Sequence, residues 1–165
     1  MLPSLNLPTY DVRTGERDGK PVVYDPVRGK YVRLTPEEHV RQQFVRYLVD
    51  AHGVPKGLIA IEQRVDVQGQ PQRADIVVHD RGARPLLLVE CKAPETRIQQ
   101  TVFDQAARYN LQLDAPYLVV TNGLAHYACY IDRSTGDIDF LDDLPDYRDM
   151  LGTTGGGGRD ERVKE

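Results

Sequence analysis

Hydrophobic and polar positions along the chain fall into blocks of two different periods, separated by turn residues. The clearest block opens at Thr35-Pro36-Glu37-Glu38, which reads as a helix start. Thr35 is the N-cap, Pro36 the first helical residue, and Glu38 completes a capping box. Apolar residues then recur at Val40, Phe44, Tyr47, Leu48 and Ala51, the spacing of one helical face, before Gly53 and Pro55 end it. The period then changes to two. Residues 59–67 alternate as a strand and turn at Gln68-Gly69-Gln70. Residues 73–79 form a second strand, ending in Asp80-Arg81-Gly82. Residues 85–92 form a third, whose run Leu86-Leu87-Leu88-Val89 predicts burial on both faces. Helical spacing returns from Pro94-Glu95 to about Leu113, with Ile98, Val102, Phe103, Ala106 and Leu111 inward. A fourth strand over 117–121, a turn at Asn122-Gly123 and a fifth strand over 124–131 follow. The order α-β-β-β-α-β-β predicts an α/β fold with a mixed central β-sheet flanked by helices. Short turns make the first three strands antiparallel, and the second helix supplies a crossover.

The ends read differently. Residues 1–20 carry Pro3, Pro8, Gly15 and Gly19 without a sustained period, and are expected to be a loosely ordered arm. Residues 22–34 read as two short strands around the turn Asp25-Pro26-Val27-Arg28-Gly29. Gly155 to Gly158 and the polar residues after them predict a flexible tail over 152–165, leaving 21–151 as the domain. No internal repeat is visible.

Composition narrows the class. A chain of 165 residues, 40% of them hydrophobic, is one domain with a sizeable core. No apolar run approaches the ~18–20 residues of a membrane span. The opening MLPSLNLPTY is not a charged-then-apolar leader, and the two cysteines make no framework. A cytoplasmic protein without membrane contact is therefore expected. The net charge of −4 argues against a cation-coated surface, but it is unevenly spread. Residues 1–27 sum to −1, residues 28–108 to +3 and residues 109–165 to −6. A solvated surface with an acidic tail accounts for this. So does a polyanion-binding face drawn from the middle segment alone.

Three polar side chains fall where strands are normally apolar: Asp75 in the second, and Glu90 and Lys92 at the end of the third. Alternation puts Glu90 and Lys92 on one side of the strand and Cys91 on the other. Ionised groups beside a core need partners or a metal. For any one of the three, a buried salt bridge is the ordinary reading. Together they suggest a site, because two carboxylates at a strand end suit Mg²⁺ and a neighbouring lysine can steer water or offset phosphate charge.

Asp75, a fourteen-residue gap and Glu90-x-Lys92 resemble the PD-(D/E)XK nuclease signature, whose common core is αβββαβ. Ala74 stands where that signature has Pro. The wording around it, LTPEEHVRQ, RADIVVHD, PLLLVECKAP, FDQAARYN and APYLVVTNG, resembles the N-terminal nuclease domain of type I restriction enzyme R subunits in a short stand-alone form. The resemblance implies a restriction-endonuclease-like core in which Asp75 and Glu90 hold Mg²⁺ (Mn²⁺ substituting), with the Cys91 carbonyl as a further ligand. It also implies that Lys92 positions the attacking water. A helical glutamate often joins such sites; Glu37 and Glu38 compete for that role. Glu37 is preferred, since Glu38 already serves the cap; a helix-dipole carboxylate is its alternative. Gln105 and Tyr109, at i and i+4, resemble the extra Gln-x-x-x-Tyr motif of the RecB-like branch; a polar helix face with an interfacial tyrosine is the plainer reading.

Arg73 and Arg108 are minor candidates for phosphate contact. His39, His52, His79 and His126 show no zinc spacing. Glu62 is expected to face solvent, with a supporting role behind the site as its alternative, and Cys91 to be a buried structural thiol. No Gly-x-x-x-x-Gly-Lys-Ser/Thr loop is present, so an ATP-driven motor is not expected in this chain. The expected function is hydrolysis of DNA phosphodiester bonds. Helicase or methyltransferase subunits, or a second copy, are candidate partners. A non-catalytic DNA- or partner-binding module of the same fold is the alternative.

Overall fold

The computed structural model of the chain describes residues 2–154. Three strands come first: β1 (Thr14–Arg17), β2 (Lys20–Asp25) and β3 (Lys30–Arg33), an antiparallel sheet of order β1-β2-β3. Next is α1 (Pro36–His52), followed by a single 3-10 turn at Lys56–Leu58. Strands β4 (Ile59–Val67), β5 (Gln70–His79) and β6 (Pro85–Cys91) follow, then α2 (Gln100–Leu113). The chain goes on through β7 (Tyr117–Thr121), β8 (His126–Ile131), β9 (Ile138–Leu141) and α3 (Tyr147–Thr154). Strands β4 to β9 make one six-stranded sheet in sequential order. Only β6 and β7 are parallel, because α2 carries the chain back across the sheet between them.

The predicted α/β fold with a mixed sheet and flanking helices is the fold observed, and the five strands and two helices read from periodicity are all present. The helices cover opposite faces. Val78, Leu87, Val89, Val119 and Ala128 pack with Val40, Phe44 and Leu48 of α1. The alternate residues Val77, Leu88, Leu118, Val120 and Cys129 pack with Ala106 and Tyr109 of α2. Leu86 to Val89 are at most 1% exposed, as a strand covered on both faces requires.

Three readings change. The arm expected to be loosely ordered contains β1, and its earlier part is strapped to the domain. Leu5 and Leu7 pack on the α1-side core, Asn6 N–H donates to the Gly123 carbonyl at 2.8 Å, and Tyr10 exchanges two hydrogen bonds with Gln43. Isolated leucines and backbone groups carry no period, so the pattern missed them. Second, α2 begins at Gln100 rather than near Pro94. Residues 94–99 form a loop, held where Asn122 Nδ2 donates to the Thr96 carbonyl at 2.9 Å. Third, α3 extends to Thr154, so 152–154 are helical, while the rest of the expected tail lies outside the described residues. No helix among the described residues is long and apolar enough to cross a membrane.

Candidate active site

The site forms where the middle of β5 and the end of β6 meet α1 and α2. Extending the register that pairs Ile76 with Val89 puts Asp75 opposite Glu90. The two are linked through backbone as well as side chain. Asp75 N–H donates to Glu90 Oε1 at 3.4 Å, and Cys91 N–H donates to Asp75 Oδ2 at 2.7 Å. Burial pushes both carboxyls above their ordinary range. For Glu90 the charge of Asp75 pushes further, to about 9; for Asp75 the Cys91 N–H and the Arg41 charge pull part of the way back. Two nearby buried carboxylates resist simultaneous ionisation, and a cation between them relieves that cost.

Lys92 follows on β6's path, its N–H still bonded to the Thr121 carbonyl of β7 at 2.8 Å. Its Nζ donates to Gln105 Oε1 at 3.4 Å, and Gln105 Nε2 donates to Tyr109 Oη at 3.1 Å. A single helical face thus ties the lysine to the tyrosine. Burial and then the Glu90 charge raise the Tyr109 hydroxyl above its usual value, and its bond with Gln105 works against them. The lysine opens on a cleft of about 550 Å³, lined also by Glu37, Thr101, Gln105 and Arg108. Glu37 comes from the first turn of α1; burial and the charge of Asp75 raise its carboxyl, against Lys92 and Arg41. Asp75, Glu90, Lys92, Gln105, Tyr109 and Glu37 therefore converge on one end of the sheet.

Glu38 has a different task from the one its spacing predicts. Thr35 Oγ1 accepts the Glu38 N–H at 3.1 Å, which is half of a capping box. The Glu38 carboxylate does not return to Thr35. It receives Arg28 Nη2 at 2.5 Å and Arg41 Nε at 2.8 Å. Arg41 in turn reaches Asp75 Oδ1 at 3.3 Å. Burial alone would lower the Arg41 pKa, but the Glu38 hydrogen bonds and charge, with Asp75, keep it firmly protonated.

Sequence reasoning missed Arg41 and Arg28 and read Glu62 as solvent-facing. Glu62 instead approaches Arg41 at 3.6 Å and both Arg28 and Arg73 at 3.5 Å. Its φ of 55° is left-handed inside β4, and the ladder with β5 skips it between Ile61↔Ile76 and Gln63↔Ala74. Arg41 was findable: it sits four residues after Glu37, on the same helical face. The Glu62 backbone left no trace in the pattern. Arg73 ends on Glu62, while Arg108 lines the cleft. Cys91 is fully buried in the α1-side core, and burial raises its thiol pKa well above the usual value. Among the described residues the histidines remain scattered: Thr121 Oγ1 and His126 Nδ1 share a hydrogen bond at 2.6 Å, His39 and His79 bond the carbonyls of Pro3 and Leu58, and His52 Nδ1 lies 3.2 Å from Asp146 Oδ1.

Among the described residues no group of three or more His, Cys, Asp or Glu side chains is placed to hold a metal ion.

Residues 36–145, two thirds of the chain, match the family described as type I restriction enzyme R protein N terminus (HSDR_N). The chain belongs to that family. The matched segment spans α1 to the loop after β9, and so includes every candidate above. The chain also resembles a solved fragment described as an HsdR subunit of a type I restriction enzyme from Vibrio vulnificus YJ016, with a TM-score of 0.53 and 22% identity. That likeness covers 72% of this chain and 25% of the other, so the chain spans about a quarter of its solved relative. A fainter likeness, TM-score 0.44 at 15% identity over 65% of this chain and 13% of that one, is to the type IIG restriction endonuclease BpuSI. No curated protein matches the chain.

Proposed function

We propose that this chain is a Mg²⁺-dependent nuclease of the PD-(D/E)XK type that hydrolyses DNA phosphodiester bonds. The observation that carries the reading is the Asp75–Glu90 pair, two carboxyls raised by burial, Glu90 further by the charge of Asp75, with Lys92 beside them. The donor set fits a hard divalent cation. Asp75 and Glu90 would hold it with the Cys91 carbonyl, and water and phosphate oxygens suit the remaining positions. Bound there, Mg²⁺, or Mn²⁺ in its place, supplies the Lewis-acid charge that activates water and offsets charge developing on the scissile phosphate.

The chain's own residues do the rest. Lys92 orients the attacking water and adds positive charge near the phosphate. Gln105 and Tyr109 brace the Lys92 ammonium from α2 through the 3.4 and 3.1 Å bonds. Glu37 brings a further carboxylate to the cleft wall, and Arg108 a phosphate contact. As water attacks phosphorus, one P–O bond forms, another breaks and the leaving oxygen takes a proton. The nuclease unit spans 21–151. Its partners in this reading are DNA and the helicase or methyltransferase subunits of a restriction system, with a second copy of the chain as a further candidate. It works in the cytoplasm.

Incubation of the purified chain with linear, circular and single-stranded DNA, with Mg²⁺ or Mn²⁺, tests the reading. Cleavage that disappears in EDTA and falls by roughly 10²-fold or more in Asp75→Ala and Lys92→Ala is expected. Absence of cleavage, or cleavage indifferent to both substitutions, contradicts it. The Arg41–Asp75 contact at 3.3 Å favours one competing reading, a purely structural ion-pair network. That reading predicts no rise in melting temperature with metal.

A further inference from the structure

We propose that the outer face of the β1-β2-β3 sheet binds the sugar-phosphate backbone of duplex DNA. The register assembles this face. Arg17 pairs with Lys20, Tyr24 with Tyr31, and Val22 with Arg33, while Tyr24 N–H donates to the Arg13 carbonyl at 2.7 Å. Facing residues of an antiparallel ladder share a side, as do alternate residues along each strand. Arg13, Arg17, Lys20, Arg33, Tyr24 and Tyr31 therefore occupy one face. On the other face Val23 and Asp25 are buried, at 0% and 1% exposure, so the cationic side is the outer one.

All four cations are exposed, and among the described residues none of them makes an ion pair. Arg28, Arg41 and Arg73, by contrast, are spent on Asp25, Glu38, Glu62 and Asp75. Glu16 points to the opposite face, Asp18 sits in the β1–β2 turn, and Asp11 borders the patch at its Arg13 end, in the cleft lined also by Tyr24 and Arg46. The Arg13 guanidinium lies over the Tyr24 ring at 5.1 Å and that of Arg17 over Tyr31 at 5.2 Å, while the two rings meet edge to face at 5.4 Å. Stacking holds each guanidinium in place and leaves its N–H edge free for phosphate. Because the guanidinium groups cover the rings, the tyrosines serve as cation platforms rather than as stacking sites for unpaired bases. That favours duplex backbone over single strands.

Strand geometry makes the patch about 13 Å long and about 10 Å across, enough for several neighbouring phosphates. Arg28, in the β2–β3 turn, bonds Glu38 of α1 at 2.5 Å, so this sheet is tied to the helix that carries Glu37. The face lies before residue 36, outside the family match, and it does not rest on the nuclease reading.

Anisotropy titrations of a labelled duplex with the full chain in EDTA, over a range of salt, test it. Four phosphate contacts predict a slope of log affinity against log salt of about −3.6. The triple variant Arg17→Ala, Lys20→Ala, Arg33→Ala, with an unchanged melting temperature, is expected to bind roughly tenfold or more weakly at low salt, with a slope near about −0.9. Wild-type slope and affinity in that variant, no duplex binding by the wild type, or tighter binding of single strands each overturn the proposal. No cleavage occurs in EDTA, so failure of the nuclease reading leaves these outcomes unaltered.

Discussion

Between the middle of β5 and the end of β6, Asp75 and Glu90 share a space too dry for two full charges, and their protons report on it. Both carboxyls are raised in the folded chain, Glu90 from 4.5 to about 9. The folded state therefore holds more protons than the unfolded one between about pH 4.5 and about 9. Its metal-free stability falls as pH rises through that window. Melting curves in EDTA should show this decline in the wild type and a flatter profile in Glu90→Gln; superimposable profiles would count against the pair as described. Added Mg²⁺ should raise the melting temperature more at pH 8 than at pH 6, because binding must displace the proton. Arg41 is the structural counterpart. Arg41→Ala leaves Glu38, 5% exposed, with Arg28 as its remaining arginine. A loss of roughly 3 kcal/mol in urea unfolding is expected, since one partner of a buried ion pair is removed.

Among the elements, α1 does two jobs at once: its apolar stripe fills one core, and its first turn delivers Glu37 and Glu38 to the site. Thr35 and Pro36 announced that start, and Gly53, at φ 68°, ended it as read. The strands around Asp75, Glu90 and Lys92 were legible for the same reason, since a charged residue interrupting an apolar alternation is conspicuous. Glu62 was not, because a left-handed residue inside a strand has no period; Arg41 shares a helical face with Glu37, but its ion pair across 34 positions has no period either. The amino-terminal strap was hidden likewise. It docks on Gly123, whose φ is 84° and where an added Cβ would lie 2.7 Å from Leu5 Cδ2 and 3.1 Å from Val40 Cγ2. Gly123→Ala is expected to cost about 1–2 kcal/mol, from the left-handed backbone and the displaced side chains. Urea unfolding would measure that cost, and amide exchange should rise at Asn6, whose N–H bonds Gly123. An unchanged midpoint would mean that the strap does not depend on this contact.

The molecule as a whole places its charge by position rather than by sum. A net charge of −4 coexists with an unpaired cationic face on the small sheet and with a site whose acids are half neutralised by their own surroundings. Two core layers hold the six-stranded sheet between α1 and α2, and the candidate site occupies the one end where both helices approach it. The chain covers about a quarter of its solved relative. Mn²⁺ soaked into crystals of the full chain would show whether Asp75 and Glu90 share one cation. One anomalous peak between the two carboxylates, with Lys92 beside it and absent in Asp75→Ala, is expected. Well-ordered carboxylates with no peak, and Arg41 still bonded to Asp75, would contradict it.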